Sequence, residues 1–256
     1  MAHHIPKQDH PSPPALAPGA MMRWHAVSSG LPERLGEVLE IGCGRGGFAA
    51  RIAPRCRRYL ALEPDNTSRE IATGTAGHCA EISGQFVEEL PDTARFDMVC
   101  AFEVLEHLED DAAALYQWSE RLRPGGRLII STPAHSKRLG EWDRMVGHHR
   151  RYDVEQMREL LIAAGLTDVR VMLYGYPVGN VLEAVRNRIA ARRMRRAESA
   201  SDDYATRTAS SARLLQPSGL MASAAMRLIA LPLAMMQKLF PGRGIALIAS
   251  ATMPEQ

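Results

Sequence analysis

A glycine-rich segment near residue 40 lies between two acidic residues that have the chemistry to bind a nucleoside. Residues 38–47 read Val-Leu-Glu-Ile-Gly-Cys-Gly-Arg-Gly-Gly, an apolar run that leads into closely spaced glycines. Glycine permits the positive φ angles of a tight strand-to-helix turn, and its missing Cβ lets a ligand approach the main chain. Glu40 ends this apolar run and Glu63 ends the next one, where a carboxylate can accept hydrogen bonds from two ribose hydroxyls. The segment therefore predicts a site for a nucleoside-containing cofactor.

The glycine spacing alone fits more than one kind of turn. Gly42, Gly44 and Gly47 match the Gly-x-Gly-x-x-Gly pattern of NAD-binding folds, and a single match of this kind is weak evidence. Gly46 gives the alternative spacing Glu-x-Gly-x-Gly-x-Gly, and an acid at the position of Glu40 is unusual in NAD sites, which stay apolar there. A turn that only packs a helix on a strand is the remaining alternative, which the two acids disfavour.

A second group of polar residues follows two later apolar runs, 96–101 and 127–132. A neutral imidazole near its reference pKa of about 6.5 can accept a proton from a phenol or an amine. The predicted catalytic residues are His148, His149 and Tyr152. An equally strong alternative is a polar latch that holds this segment to the next helix, and a bidentate contact from Arg150 or Arg151 to an acidic substrate is a third use.

Short apolar runs alternate with amphipathic stretches, a pattern typical of an α/β fold with a mainly parallel sheet. The predicted strands are Glu37–Ile41, Tyr59–Glu63, Ile82–Val87, Phe96–Ala101, Arg127–Thr132, Thr167–Tyr174 and Ile245–Ala251. The clearest predicted helices are Asp111–Leu122, followed by a turn at 123–126, and Asp153–Ala164, which Gly165 ends.

Composition limits the classes of function. The 256 residues are 46% hydrophobic, which suits one α/β core, and the net charge of +2 argues against a nucleic-acid binder that acts through global charge. The four cysteines form no Cys-x-x-Cys pair, which favours a reducing, cytoplasmic location. The most apolar stretch, 228–236, is shorter than the roughly 20 residues of a transmembrane helix.

Together the motifs resemble the class I methyltransferases that use S-adenosyl-L-methionine (SAM). The resemblance covers about residues 37–174 and includes Phe96–Leu108, Leu122–Ile130 and Gly147–Tyr152. It implies a doubly wound, mainly parallel seven-stranded sheet whose last strand is antiparallel beside Thr167–Tyr174, with SAM as the cofactor. It also implies that Glu40 and the glycine turn hold the methionine part and that Glu63 holds the ribose. The predicted SAM-binding residues are Glu40, Gly42, Cys43, Gly44, Gly46, Glu63, Pro64, Val87, Glu88, Phe102 and Glu103.

Two details of the resemblance bear on the site. Many relatives carry an acid beside the adenine at the end of the third strand, whereas this chain offers Val87 and Glu88 there. The set Glu103, Glu106 and His107 with His148 or His149 resembles the Glu-x-x-Glu-His plus His pattern of metal-dependent methyltransferases. Similar sequences occur in metal-free relatives, so the metal is an open alternative.

Four regions are predicted: a disordered tail at 1–18, the SAM-binding domain at 19–175, a helical insert or cap at 176–240, and the final strand at 241–256. The insert has ten basic and four acidic residues, which suits peripheral contact with an anionic membrane surface. We predict methyl transfer to a small-molecule acceptor, with oxygen favoured over nitrogen. The alternatives are a lipid or glycan precursor at the membrane surface, RNA 2′-O-methylation, which the modest charge disfavours, and a SAM-binding scaffold without catalysis.

Overall fold

The computed structural model describes residues 12–198, 237–240 and 242–255. Within these residues one sheet is flanked by helices on both faces. Its strands are β1 Leu35–Ile41, β2 Cys56–Leu62, β3 Glu81–Ser83, β4 Phe96–Phe102, β5 Leu122–Pro133, β6 Thr167–Gly175 and β7 Gly244–Thr252. The α-helices are α1 Pro18–Ser28, α2 Ala49–Ile52, α3 Asn66–Ala76, α4 Asp111–Glu120, α5 Glu141–Val146, α6 Val154–Ala163 and α7 Val178–Glu198.

The sheet has the order β3-β2-β1-β4-β5-β7-β6, and β7 is antiparallel to both of its neighbours. This topology confirms the predicted mainly parallel seven-stranded sheet with an antiparallel last strand. Ile41 is in register with Ala101, and Phe102 with Ser131, so β1, β4 and β5 end at one edge. The two groups of polar residues that follow these strands therefore lie at the same edge of the sheet.

Helices cover both faces of the sheet because each has an apolar side. One core layer includes Trp118 of α4 and Met157 of α6, both essentially inaccessible to solvent. The opposite layer includes Met22 of α1, Ile52 of α2 and Ala72 of α3. This arrangement holds the strand ends rigidly and leaves the loops beyond them to form a site.

Two predicted boundaries near the third and fifth strands are wrong. The third strand ends at Ser83 rather than Val87, because the Glu89 carboxylate accepts a hydrogen bond from the Phe86 N–H and closes a single 3-10 turn at Val87–Glu89. The turn predicted at 123–126 lies inside β5, where Gly125 has a φ of +73° and its N–H donates to Met253 beyond β7. The helix before it accordingly ends at Glu120 instead of Leu122.

The predicted disordered tail is wrong for residues 12–18. Leu16 is buried against Gly47, Arg51 donates a hydrogen bond to the Pro14 carbonyl, and α1 already begins at Pro18. Residues 1–11 lie outside the described residues. The predicted insert is helical over α7, whereas residues 199–236, including the apolar stretch 228–236, lie outside the described residues. No helix among the described residues is long and apolar enough to cross a membrane.

Candidate active site

The turn after β1 has three glycines with positive φ, and they serve different purposes. The φ angles are +67° at Gly42, +55° at Gly44 and +75° at Gly46. A Cβ on Gly42 would lie 2.6 Å from a methyl group of Val104, and one on Gly46 would lie 3.1 Å from the Ala72 backbone. A Cβ on Gly44 would meet no atom of the described residues within 4 Å. The outer two glycines thus permit close packing, and Gly44 presents its backbone to open space, as a cofactor requires.

Both predicted acids border this turn. Glu40 is 2% exposed and its Oε2 accepts a hydrogen bond of 2.9 Å from the Tyr59 hydroxyl. Burial, together with repulsion from Glu63, raises the pKa of Glu40 to about 7. The Glu63 carboxylate accepts backbone hydrogen bonds from Gly44 at 2.7 Å and Asp65 at 3.1 Å, and burial raises its pKa as well. Glu63 is therefore positioned at the backbone that Gly44 exposes.

Aromatic side chains cover the turn from the α1 side. The ring of Phe102, at the end of β4, lies 4.6 Å from that of Phe48, which meets Trp24 of α1 edge-on at 5.6 Å. Phe102 is itself buried. This packing positions α1 over the glycine turn.

The other predicted cofactor residues differ in exposure. Cys43 is buried, and its N–H donates to the Leu62 carbonyl at 3.0 Å. Pro64 and Glu88 are exposed, whereas Val87 packs in the core. Cofactor contacts for these four residues stay predictions.

Glu103 connects α1 to the end of β4. It is a non-glycine residue with a φ of +59°, a conformation that costs energy and often marks a functional site. Its carboxylate forms an ion pair with Arg23 of α1 at 2.8 Å and accepts a longer hydrogen bond, 3.3 Å, from Ser131. Arg23 also donates to the Tyr174 hydroxyl at 3.1 Å. The charge of Glu103 is thus compensated within the protein.

Three side chains that follow Glu103 in the chain lie close together. One ligand atom each from Glu106, His107 and His148 lies within 4.8 Å of the other two. Glu106 is fully buried, and neither carboxylate oxygen has a hydrogen-bond partner among the described residues. Burial, with the nearby charge of Glu103, raises the pKa of Glu106 well above its usual range, and burial followed by repulsion from His148 lowers that of His107.

This donor set fits a divalent cation, because a carboxylate and two imidazoles suit several transition metals and an orphaned buried carboxylate needs a partner. Glu103, the fourth group of the predicted pattern, is instead paired with Arg23. His149 is exposed and contributes its backbone N–H to the Glu106 carbonyl. Of the two adjacent histidines, His148 is therefore the one that reaches the cluster.

His148 is held in a defined orientation by Asp143 of α5. Its Nδ1 lies 2.8 Å from Asp143 Oδ1, and the same carboxylate accepts three hydrogen bonds from Arg151. Burial alone would raise the pKa of Asp143, but the hydrogen bonds from His148 and Arg151 outweigh it and lower the pKa to about 2. An ionised carboxylate only accepts, so Nδ1 carries the proton and Nε2 is available as a base or a ligand.

A catalytic role for Tyr152 is not supported by its position. Its side chain is completely buried, and its hydroxyl donates to Asp111 at 2.9 Å. Burial and this hydrogen bond raise the pKa of Tyr152 above its ordinary value. Tyr152 and Arg150, which pairs with Asp111 at 3.0 Å, thus hold the loop to α4 rather than to the next helix, as the predicted latch had it.

A pocket at this edge of the sheet extends from Glu103 to His148 and is covered by α5 and α7. It is lined by Glu103, Pro133, Trp142, Asp143, His148, Arg151, Glu183, Arg186, Ile245 and Ala246. Sequence reasoning did not assign Arg23, Asp143 or Glu183 to the site. The partners of Arg23 and Glu183 are distant in the chain, and Asp143, although near His148, belongs to no recognised motif.

Comparison with known proteins agrees with this geometry. The model of a family described as "Methyltransferase domain" matches residues 16–171, more than half of the chain. The chain belongs to this methyltransferase family. The predicted class I SAM-dependent methyltransferase is confirmed at the level of the family, with SAM as the methyl donor.

The curated relatives that match align with this chain over only part of their length. A Mycobacterium tuberculosis protein named "Probable S-adenosylmethionine-dependent methyltransferase" is 33% identical over 52% of this chain and 49% of its own length. The ubiquinone biosynthesis O-methyltransferase of Alkalilimnicola ehrlichii is 32% identical over 37% of this chain and 40% of its own length. The chain thus spans half or less of the length of these relatives.

Solved structures share the fold. The YcgJ protein of Bacillus subtilis superposes with a TM-score of 0.59 at 15% identity, over 93% of this chain and 100% of that one. The N-methyltransferase NodS of Bradyrhizobium japonicum, bound to S-adenosyl-L-homocysteine, gives a TM-score of 0.51 at 19% identity, over 92% and 85% of the two chains.

Proposed function

We propose that this chain transfers the methyl group of SAM to an oxygen atom of a small-molecule acceptor. The observation that carries the proposal is the oriented Asp143–His148 pair beside Glu106, at the same sheet edge as the glycine turn. Oxygen is favoured because a hydroxyl needs a base or a cation to become nucleophilic. The relatives named ubiquinone biosynthesis O-methyltransferases also support oxygen.

The cofactor is bound by the turn and its acids. In this proposal the Glu63 carboxylate, which accepts a hydrogen bond from the Gly44 N–H, binds the ribose hydroxyls, and the Gly44 backbone lies along the cofactor on the side where a Cβ would have open space. Glu40 supplies a negative charge for the methionine ammonium. Val104, which packs on Gly42, follows Glu103 directly, so the acceptor pocket begins beside the cofactor.

The reaction is an in-line displacement at the sulfonium methyl, so the protein mainly aligns acceptor, methyl and sulfur. His148 Nε2 takes the hydroxyl proton as the new bond forms between oxygen and carbon, and the electrons of the sulfur–carbon bond leave with S-adenosylhomocysteine. Asp143 keeps the imidazole in the required tautomer and stabilises its protonated form. Phe102 and Phe48 shield the cofactor side from water.

Glu106, His107 and His148 are the residues that would hold a divalent cation. A bound cation would lower the pKa of an acceptor hydroxyl. Glu106, buried and without a hydrogen-bond partner among the described residues, is the observation that favours this variant of the mechanism.

The test compares His148→Ala with His149→Ala. Methyl-labelled SAM is incubated with each protein and extract from the organism that encodes it, and S-adenosylhomocysteine and the labelled product are measured. His148→Ala should lower kcat by about 10²- to 10⁴-fold with unchanged SAM affinity, because a general base is lost. His149→Ala should stay within about threefold, since its side chain is outside the cluster.

NMR of the labelled methyl group separates a methyl ether from an N-methyl product. An N-methyl product would contradict oxygen as the acceptor, and full activity of both variants from about pH 6 to 9 would contradict His148 as the base. Loss of activity in chelator, restored by magnesium or manganese, would support the cation.

A further inference from the structure

We propose that Arg186 forms a subsite for an anionic group, a carboxylate or a phosphate, carried by the acceptor. The inference rests on the proposed function and specifies the acceptor as an acidic small molecule. It depends on the position of Arg186 in the pocket, its missing hydrogen-bond partner and the charge balance around it.

Arg186 points from α7 into the same pocket as His148. Its guanidinium carbon lies 5.3 Å from the centre of the Trp142 ring, and its terminal nitrogens lie beside Gly19 at the start of α1. Its Nε is buried and donates no hydrogen bond within the described residues. The side chain is thus held between two helices with donor capacity unused.

The neighbouring arginines each have an acidic partner. Arg23 pairs with Glu103, Arg151 with Asp143 and Glu183, and Arg138 also with Glu183. The carboxylates of Glu103, Asp143 and Glu183 are thus already paired with three arginines, and Arg186 is the fourth arginine of this group. Arg186 is the one of the four that has no ion pair within the described residues.

The lack of an ion pair for Arg186 within the described residues is energetically unfavourable without a ligand. Burial is the main cause that lowers the pKa of Arg186, with attraction to Glu103 opposing it. A buried charge without a partner destabilises a protein, and a guanidinium binds carboxylate or phosphate through a planar, often bidentate contact. An acidic group on the acceptor would supply the missing partner.

The size of the pocket fits such a group. Its cavity volume is about 60 Å³, several times the roughly 10–15 Å³ that one water needs. This space holds a carboxylate or a phosphate, and the rest of the acceptor extends into the open mouth. With the acid on Arg186, a hydroxyl elsewhere on the same molecule is directed toward His148.

Arg188 provides a matched control, because it lies two residues further along α7 and is exposed. The first experiment measures the Tm of the whole chain with inorganic phosphate or acetate, at ionic strength held constant with chloride. We expect a saturable rise of Tm with at least one of the two anions, for wild type and Arg188→Gln. Arg186→Gln should lose the rise, and Arg186→Lys should keep part of it because a point charge remains.

The second experiment analyses the product labelled from methyl-labelled SAM. The product should bind an anion exchanger, and a shift after phosphatase treatment identifies phosphate rather than carboxylate. Arg186→Gln should lower kcat/KM for this acceptor about 10- to 100-fold, mainly through KM, since a charge-assisted contact is lost. Arg188→Gln should stay within about twofold.

The outcomes separate the two proposals. A neutral product, turned over equally by wild type and Arg186→Gln, overturns the anionic subsite and leaves methyl transfer standing. Failure of both anions to stabilise wild type also overturns the subsite. Anion binding that depends on Arg186, without any methyl transfer in the presence of bound SAM, supports the subsite and refutes the proposed function. If Arg186→Gln does not fold, Arg186→Lys is compared with wild type in both experiments, and a rise of Tm and a kcat/KM equal to those of wild type would overturn the subsite.

Discussion

Glu40 is the residue whose protonation most directly links the cofactor site to pH. Its carboxyl is buried against the Tyr59 hydroxyl and has a pKa of about 7 without a bound cation. In the proposed binding mode the ammonium of the methionine moiety favours the ionised form, so we expect SAM binding near neutral pH to release a proton from Glu40. Affinity for SAM therefore depends on whether this proton is present.

We predict that SAM affinity falls as the pH decreases below about 7, approaching tenfold per pH unit, since the protonated carboxyl must ionise first. Calorimetry in buffers of different ionisation enthalpy measures both affinity and proton release. Glu40→Gln should bind SAM more weakly and lose most of this dependence, although Glu63, whose pKa is also raised, keeps some. A pH-independent affinity in wild type would refute the link to Glu40.

Residue types and spacing were sufficient to propose Glu40, Glu63 and His148 as candidates, and the structure places the first two beside the glycine turn and His148 near Glu106 and His107. They were insufficient for the partners that decide what these residues do. Asp143 precedes His148 by only five positions, yet its role depends on Arg151 and on the buried environment of α5. The buried contacts of Tyr152 show the converse: a residue type suited to catalysis was placed in the core by packing that spacing does not encode.

Helix α5 connects the loop that carries His148 to α7. Asp143 of α5 binds His148 and Arg151, and Arg151 continues to Glu183 of α7. The side chains of Asp143 and Arg151 are 1% and 5% exposed, so each charge depends on the other. The orientation of His148 and the position of α7 are thus set by one ion network.

Asp143→Ala should lower the free energy of unfolding by about 3–5 kcal/mol, because it leaves Arg151 buried without this partner. Glu141→Ala in the same helix is the control. Glu141 is 40% exposed and pairs with the exposed Arg144, so its loss should change stability by less than about 1 kcal/mol. Denaturant unfolding measures both, and equal stabilities would contradict the network.

The outer face of α7 bears on the predicted membrane contact. Val181, Val185, Arg188, Arg192 and Arg195 recur at helical spacing and are all exposed. We predict binding to vesicles with anionic lipid at low salt, weakened about a hundredfold by changing the three arginines to Gln, at roughly 1 kcal/mol each. Neutral vesicles and Arg58→Gln, on an exposed strand position far along the sheet, are the controls. Flotation tests this, and no binding of wild type to anionic vesicles would exclude the surface role.

Element boundaries were predictable where the local signals agreed. Gly165, with a φ of +82°, ends the sixth helix as its position in the sequence predicted. The third strand was extended too far because Phe86 and Val87 are apolar residues that favour strands. The hydrogen bond from the Phe86 N–H to the Glu89 carboxylate, which closes the turn there, is not visible in hydrophobicity. The turn inside β5 likewise depends on Met253, far along the chain.

Across the whole molecule, the fold brings two sites to one edge. Alternating strands and helices predict a parallel sheet, but they do not give the order in which β7 enters between β5 and β6. That detail came from the resemblance to a family rather than from periodicity. The pocket between α5 and α7 was beyond sequence reasoning, since its lining residues come from segments up to 143 positions apart, from Glu103 to Ala246.

We propose that SAM bound at the glycine turn gives its methyl group to an acceptor. The most direct test measures S-adenosylhomocysteine formed from SAM with and without extract of the encoding organism, for wild type, Glu63→Ala and the exposed control Glu70→Ala. We expect extract-dependent turnover in wild type and in Glu70→Ala. In Glu63→Ala, SAM binding should be weakened by about 1–3 kcal/mol, because the ribose contact is lost. Tighter binding of NADH than of SAM, or unchanged SAM affinity in Glu63→Ala, would contradict it.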